Sequence, residues 1–246
     1  MSTTLLLLCL IFFISVLVSG GLLLIRRWFG QHLQKDPLHT SIFSFFTTLY
    51  AFFIGFSIVT LWSTFLTTQV NVNREADGLM VAHYAARSLP QSEAFRQSLQ
   101  SYVKTVLENE WPQMEKDSMS QAASQRFDEV WEKYFALSGD SDKLRAIFNS
   151  LAEAGRQRLS RATTVKGNLY PTVWIILFFG FGSVVFGLFL LNRQPTAVSL
   201  IFEFMVIFMV LTCLFFIYDI NTPFSGFITV RPDAFQVIYH KMLSLP

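Results

Sequence analysis

Residues 41–70 read SIFSFFTTLYAFFIGFSIVTLWSTFLTTQV and are apolar almost throughout, with no proline in the stretch. The central part, Phe43–Leu66, is longer than the roughly 20 apolar residues that a helix needs to cross a bilayer. The polar sequence that follows also lacks proline until Pro90 and holds a single glycine, Gly78. We therefore predict one helix that crosses a membrane and continues unbroken into a water-soluble region.

Three further stretches have the length and composition of membrane spans. The chain of 246 residues is 52% hydrophobic and has a mean hydropathy of +0.43, which is too apolar for an ordinary soluble domain. The additional predicted spans are Leu5–Ile25, Tyr170–Leu191 and Val198–Ile217. The basic residues Arg26 and Arg27 follow the first apolar run rather than precede it, so we interpret that run as a retained helix and not as a signal peptide.

The order of these segments predicts an all-α membrane protein with four transmembrane helices in two hairpins and a soluble helical insert between spans two and three. The insert carries 13 Lys or Arg and 13 Asp or Glu, the balanced pattern of a solvated helical surface. The predicted segments are a first transmembrane hairpin (1–68), a soluble helical domain (69–169), a second hairpin (170–219) and a C-terminal segment that packs on the helical domain (220–246).

Proline and capping residues predict where the helices of the insert begin and end. We expect Pro90 to stop the long helix, Ser92 to cap the next one and Pro112 to end it. The apolar residues of that second helix recur every three or four positions, which predicts one buried face: Phe95, Leu99, Tyr102 and Val106. The turn SGDSD (138–142) predicts a cap for the last helix, and FITV (227–230) predicts a short extended piece.

The sequence lacks the motifs of several classes of function. It contains no GxSxG, HExxH, P-loop or GxGxxG motif, so we expect no enzyme activity and no cofactor. The histidines (His32, His39, His83, His240) are scattered, and Cys9 and Cys213 lie inside predicted spans, so we expect no metal site. The net charge of +2 and the lack of a basic stripe give no indication of nucleic-acid binding.

Two acidic residues stand out because of where they lie. Glu203 is the one acidic or basic residue well inside a predicted span, where a charge is costly. It either lies near the headgroups or hydrogen-bonds to the neighbouring hairpin, or it belongs to an ion pathway. Asp219 falls at the end of span four, beside the negative end of the helix dipole, and therefore needs a partner. The candidate partners are Arg156, Arg158 and Arg161.

Span two carries two stripes of unusual composition. Thr48, Phe52 and Phe56 follow at intervals of four residues, and a hydroxyl stripe follows them: Ser57, Thr60, Thr64 and Thr68. Copies of such a helix around a water-filled axis would place hydroxyls in the pore and a ring of phenylalanines at a hydrophobic constriction. The alternative is that the hydroxyls join neighbouring helices by hydrogen bonds. The pattern alone favours neither.

Several motifs, taken in order, resemble the bestrophin-like domain family, whose members are related to the bestrophin ion channels. The similar stretches are READGL (74–79), YVKTVLENEW (102–111), RQRLSRA (156–162), YPTVW (170–174) and DINTPFSGFITVRPDAF (219–235). The resemblance extends from about residue 40 to residue 240. The stretch AFFIGFSIVTLW (51–62) is also similar to the second helix of bestrophins, which forms their pore neck.

This resemblance implies a homo-oligomer, most simply a pentamer, that conducts inorganic ions passively through a central pore in the lipid bilayer. By position, Thr48, Phe52 and Phe56 would form the neck. The turn Pro223, Phe224 and Gly226 is similar to a bestrophin segment that, in eukaryotic bestrophins, leads into an acidic calcium-binding clasp. Here the residues after that turn include one acidic side chain, Asp233, so we expect no such clasp.

Orientation and selectivity remain open at the level of the residues. The first helix favours termini outside the cell, whereas the count of basic residues near the membrane favours the reverse. The resemblance implies a cytosolic insert in a multi-pass protein of the plasma membrane, or of the inner membrane if the protein is bacterial. Glu75 and Asp77 are candidates for an acidic ring. The alternative function is a non-conducting scaffold or sensor whose insert binds a partner.

Overall fold

The computed structural model describes residues 2–29, 37–192 and 196–244. Over these residues the chain forms helices and turns and no strand. The helices are α1 (Ser2–Phe29), α2 (Pro37–Ala86), α3 (Glu93–Thr105), α4 (Trp111–Met114), α5 (Gln121–Phe135), α6 (Ser141–Thr164), α7 (Pro171–Leu191), α8 (Ala197–Asn221) and α9 (Asp233–Ser244). The all-α prediction is confirmed. The loop residues Lys35 and Arg193, which entered the charge count for orientation, lie outside the described residues.

Four of these helices are long and apolar enough to cross a membrane, and they are α1, α2, α7 and α8. The protein is therefore an integral membrane protein with the four predicted spans. The second helix is 50 residues long, so it exceeds the bilayer thickness by a wide margin, as its sequence predicts. It ends at Ala86, shortly before Pro90.

The chain divides into two compact units. The first consists of Met1–Leu61 and Leu169–Tyr218, and the second of Trp62–Asn168 and Asp219–Pro246. The first unit thus contains three of the spans and most of the second, whose last residues fall in the second unit together with the insert and the C-terminal segment. The first boundary falls at Leu61, seven residues before the predicted end of the first hairpin (68 − 61).

In the first unit, α2 packs against α7 through small residues. Gly180 lies against the ring of Tyr50, and Gly187 lies against the ring of Phe43, so a Cβ at either glycine would overlap an aromatic ring. The Tyr50 hydroxyl donates a hydrogen bond of 2.7 Å to the backbone carbonyl of Leu177. Small residues let helices approach closely in a bilayer, where lipid provides no hydrophobic drive for association.

The second unit has a hydrophobic core built around α3. Phe95, Leu99 and Tyr102 are at most 1% exposed, which confirms the buried face predicted from their spacing. The turn at 138–142 caps α6 as predicted, but the capping residue is Asp140 rather than the last residue of the turn: the Asp140 carboxylate accepts hydrogen bonds from the N–H groups of Asp142 and Lys143.

Two local predictions are wrong, and a third is right only in position. Pro112 does not end its helix: a π-helical segment, Val106–Glu110, precedes it, and the helix continues through Met114. The wider π turn relieves the overlap that a proline ring normally causes one turn back. Ser92 occupies the N-cap position of α3 as predicted, but its backbone angles are helical and its side chain makes no capping bond. Residues 227–230 form no strand, since the N–H of Val230 donates to the carbonyl of Pro223 and closes a loop.

Candidate pore face and buried ion network

One face of α2 in the first unit is packed and the opposite face is open. Tyr50 and Ile54 are buried at 6% and 7% exposure, whereas Phe52 and Phe56 are 74% and 63% exposed. Residues two apart on a helix point about 200° apart, so packing of one pair leaves the other pair facing outward. Thr48 lies on the same open face, and its hydroxyl donates to the carbonyl of Ser44.

Only part of the hydroxyl stripe shares this open face. Ser57 and Thr68 are buried within the chain at 6% and 3% exposure, and each hydroxyl donates to the carbonyl four residues earlier. Thr64 is half-buried and Thr60 is exposed. Ser57 and Thr68 therefore cannot line a pore in this arrangement, because the rest of the chain covers them. The hydroxyls of Ser63 and Thr67, which the sequence pattern did not single out, are exposed instead.

Glu203 forms an ion pair with Arg26 inside the first unit. The Arg26 Nη1 atom lies 2.8 Å from Glu203 Oε2, and both side chains are at most 3% exposed. Asn192 also donates to Glu203 Oε2, and Arg26 Nη2 donates to the carbonyl of Leu188. These bonds join α1, α7 and α8, so Glu203 hydrogen-bonds to the neighbouring hairpin, which was one of its two predicted environments.

In the second unit, four charged side chains form a buried network. Arg161 contacts Glu75 with two nitrogen atoms, Nε and Nη2, at 2.9 Å each. Its Nη2 atom also lies 2.7 Å from Glu110 Oε1. Arg158 Nη2 is 2.7 Å from the other oxygen of Glu110. Glu75 therefore cannot belong to an exposed acidic ring, because α3 and α6 bury it completely.

The rest of the network fixes the charges in place. The Tyr102 hydroxyl donates to Glu75 Oε1 at 2.9 Å. The Arg161 guanidinium lies over the rings of Trp111 and Phe235, 5.6 Å and 5.7 Å from their centroids. Two carboxylates and two guanidinium groups give a net charge of zero, so the network meets the requirement that buried charges be paired.

The electrostatics keep Tyr102 and Arg161 each in one protonation state. Burial, followed by the neighbouring Glu75 carboxylate, raises the pKa of Tyr102 well above its ordinary value, so the phenol stays protonated and can donate. Burial by itself lowers the pKa of Arg161, but the carboxylates of Glu75 and Glu110 outweigh it and hold that pKa above the ordinary value. Tyr102 therefore stays a neutral hydrogen-bond donor, and Arg161 stays a cation.

Asp219 holds the loop that follows α8. Its two carboxylate oxygens accept hydrogen bonds from the backbone N–H groups of Phe227 and Ile228, at 2.8 Å and 2.9 Å. The predicted arginine partners are therefore wrong: Arg158 and Arg161 pair with glutamates in the ion network, and Arg156 pairs with Glu153. The loop, rather than a cation, supplies the positive dipoles that offset the unfavourable end of the helix.

The loop itself is the turn that the sequence predicts at Pro223, Phe224 and Gly226. Gly226 has φ of +103° and lies directly against the Asp219 carboxylate, so any side chain there would be strained and would also overlap that group. Phe224 is 2% exposed, and its ring meets Trp111 edge to face with centroids 5.8 Å apart. Asp219 thus positions the loop on the helical core of the second unit.

The family model of the bestrophin-like domain matches residues 12–235. The chain belongs to the bestrophin-like domain family. The solved structure of a bacterial bestrophin homologue from Klebsiella pneumoniae is similar, with a TM-score of 0.77 at 13% identity over 96% of this chain and 97% of that one. A variant of that homologue with a single substitution gives 0.73 at 14% identity, over 96% of this chain and 99% of that one. No curated protein matches the chain.

Four of the five stretches that resemble the family meet in three dimensions within the second unit of this bestrophin-like protein; the fifth, YPTVW, lies in the first unit. READGL supplies Glu75, YVKTVLENEW supplies Tyr102, Glu110 and Trp111, and RQRLSRA supplies Arg158 and Arg161. The last motif supplies Asp219 and Phe224, which close the loop over Trp111. The sequence singled out each motif but did not show that opposite charges in separate motifs pair with each other.

Proposed function

We propose that this protein is a homo-oligomeric ion channel in which the open face of α2 lines a central pathway. The observation that supports the proposal most directly is the exposure of Phe52 and Phe56, together with Thr48, opposite the face that packs on α7. A ring of such phenylalanines narrows a pathway and can gate it by excluding water. The resemblance to bestrophins also implies that these three positions form a pore neck.

Five copies around one axis is the oligomer that the resemblance implies, and we propose it here. Thr48 and Thr60 lie at either end of the aromatic pair on the exposed side of α2. The hydroxyls of Ser57 and Thr68 are left out of the pathway because the chain buries them. Among the predicted acidic residues, Asp77 is exposed and stays a candidate for the ring that influences ion selectivity.

Ion flux from liposomes tests the proposal. We expect the purified protein to conduct and the Phe52→Ala/Phe56→Ala variant to conduct several-fold faster, because the constriction is wider. The matched control is Phe179→Ala/Phe186→Ala, which removes two exposed rings from α7, where they are 71% and 61% exposed. That control should conduct like the unaltered protein.

The same preparations decide between the channel and the scaffold or sensor. Light scattering should give a mass of about five chains of 28.2 kDa for each variant. Absence of flux from folded, oligomeric protein, in both the unaltered form and the Phe52/Phe56 variant, would contradict the channel. Equal increases in ion flux in the α2 and α7 variants would show that Phe52 and Phe56 do not line the pathway.

A further inference from the structure

His83 is a buried ionisable residue that the proposed pathway does not use. It lies near the end of α2, and its side chain is fully buried. Neither of its ring nitrogens has a hydrogen-bond partner among the residues that the structure describes. Buried polar groups in folded proteins nearly always have a partner, so an imidazole that leaves both nitrogens unsatisfied needs an explanation.

The charges around His83 are unfavourable for a second proton on the ring. The charged residues that act on the His83 ring are Arg87, just beyond α2, and Glu93 and Arg96 on α3. Glu93 already pairs with Arg96, and its side chain is 61% exposed. From α9, Lys241 lies over the ring of Tyr84, the residue after His83. A protonated His83 would therefore add a positive charge near two arginines and one glutamate, and neither ring nitrogen contacts a hydrogen-bond acceptor among the residues that the structure describes.

The segment between α2 and α3 contains two locally unfavourable features, one in its backbone and one at the start of α3. Gln91 has φ of +55°, a backbone conformation that few residues other than glycine adopt. Ser92, at the start of α3, is buried but makes no capping bond through its side chain. The connection beside His83 thus lacks the side-chain cap that stabilises most helix starts.

We propose that His83 acts as a proton-sensitive latch: protonation of its ring opens the junction between α2 and α3. In the closed junction the imidazole is neutral and buried. In the opened junction water solvates the ring, which then accepts a proton. This inference does not depend on ion conduction, because it concerns the opening of a junction within the second unit.

The direction of the pH effect follows from proton linkage. A solvated histidine titrates near pH 6.5, so the open state binds an additional proton below that pH while the closed state does not. The closed junction is therefore most stable above about pH 6.5 and loses stability as the pH falls. One proton changes the opening equilibrium by at most about tenfold per pH unit.

Hydrogen exchange of the full-length protein in lipid nanodiscs tests the latch. Peptides that cover residues 80–99 are compared at pH 7.5 and pH 5.5, after correction for intrinsic exchange rates. We expect opening to increase by up to about tenfold in the unaltered protein. His83→Phe, which cannot be protonated, should show no such increase. If the phenylalanine variant does not fold, His83→Gln replaces it and should also show none.

His240→Gln is the matched control, because His240 is exposed on α9. It should keep the acid response of the unaltered protein. The proposal is overturned if the His83 variant keeps the full response, if His240→Gln abolishes it, or if the unaltered protein shows no change between the two pH values.

Discussion

At the scale of single residues, the ion network depends on pairing more than on the number of charges. Arg161 is 1% exposed and contacts both Glu75 and Glu110. Removing one partner of a buried ion pair leaves the other charge uncompensated, which is far more damaging than removing both. The effect of a substitution here therefore depends on which charge it leaves behind.

Replacement of Glu75 by glutamine is expected to destabilise the folded protein by about 3–5 kcal/mol, because it leaves Arg161 with a single carboxylate. Urea unfolding in detergent, followed by tryptophan fluorescence, measures the change. Glu153→Gln is the matched control, since it removes a carboxylate from a solvent-exposed pair with Arg156 and should change the stability far less. Equal losses in the two variants would show that burial of the network adds nothing.

The sequence identifies the important charged residues, but the partners predicted from it for Asp219 are wrong. Glu203 stands out in the sequence because it is alone in an apolar helix. Arg26 follows the predicted first span, and nothing in the sequence marks it as the partner of Glu203. The helix α1 in fact continues to Phe29, which keeps Arg26 inside the bundle. Asp219 was assigned an arginine because side-chain charge is visible in a sequence, whereas backbone N–H groups aimed by a loop are not.

At the scale of elements, the segment after α8 shows how one side chain orders a loop. Asp219 accepts two backbone hydrogen bonds, and Gly226 has no side chain to obstruct it. The loop carries Phe224 onto Trp111, so that the C-terminal helix α9 can add Phe235 to the same core. This explains why proline, glycine and an aspartate follow an apolar helix directly.

Asp219→Asn should loosen this loop, because an amide keeps one acceptor oxygen and turns an N–H donor toward the other backbone N–H. The expected loss is about 1–3 kcal/mol, with faster hydrogen exchange at Phe227 and Ile228. Asp233→Asn, at the exposed start of α9, should have a smaller effect on these amides. Unchanged exchange in Asp219→Asn would mean that the loop does not depend on the carboxylate.

Helix positions were largely predictable because periodicity and capping residues are local signals. The continuous α2, the buried face of α3 and the Asp140 cap all follow from residues within a few positions of each other. The π-helical segment was not predictable, since it requires the packing of Glu110 and Trp111 to hold a wider turn in front of Pro112. The burial of Ser57 and Thr68 likewise depends on what the rest of the chain places against α2.

At the scale of the whole molecule, the proposed assembly converts single side chains into rings. Asp77 is exposed, and five copies would place five carboxylates around one axis. Asp77→Asn is expected to lower the permeability of cations relative to anions, because a ring of negative charge attracts cations. The measurement is the reversal potential in planar bilayers under a salt gradient.

Asp128→Asn is the matched control for this selectivity, because Asp128 is an exposed carboxylate on α5. It should leave the reversal potential unchanged. If the Asp77→Asn channel still conducts and its reversal potential is unchanged, Asp77 does not line the pathway. That result would leave the proposal for Phe52 and Phe56 unaffected.

The ion pair between Arg26 and Glu203 also constrains how the protein is made. The two residues are 177 positions apart in the chain. At a translation rate of roughly 5–20 residues per second, the ribosome completes Glu203 about 9–35 s after Arg26. The first span must therefore wait for most of synthesis with an unmatched cation near its end. Its final depth in the bilayer is set only when the last hairpin arrives.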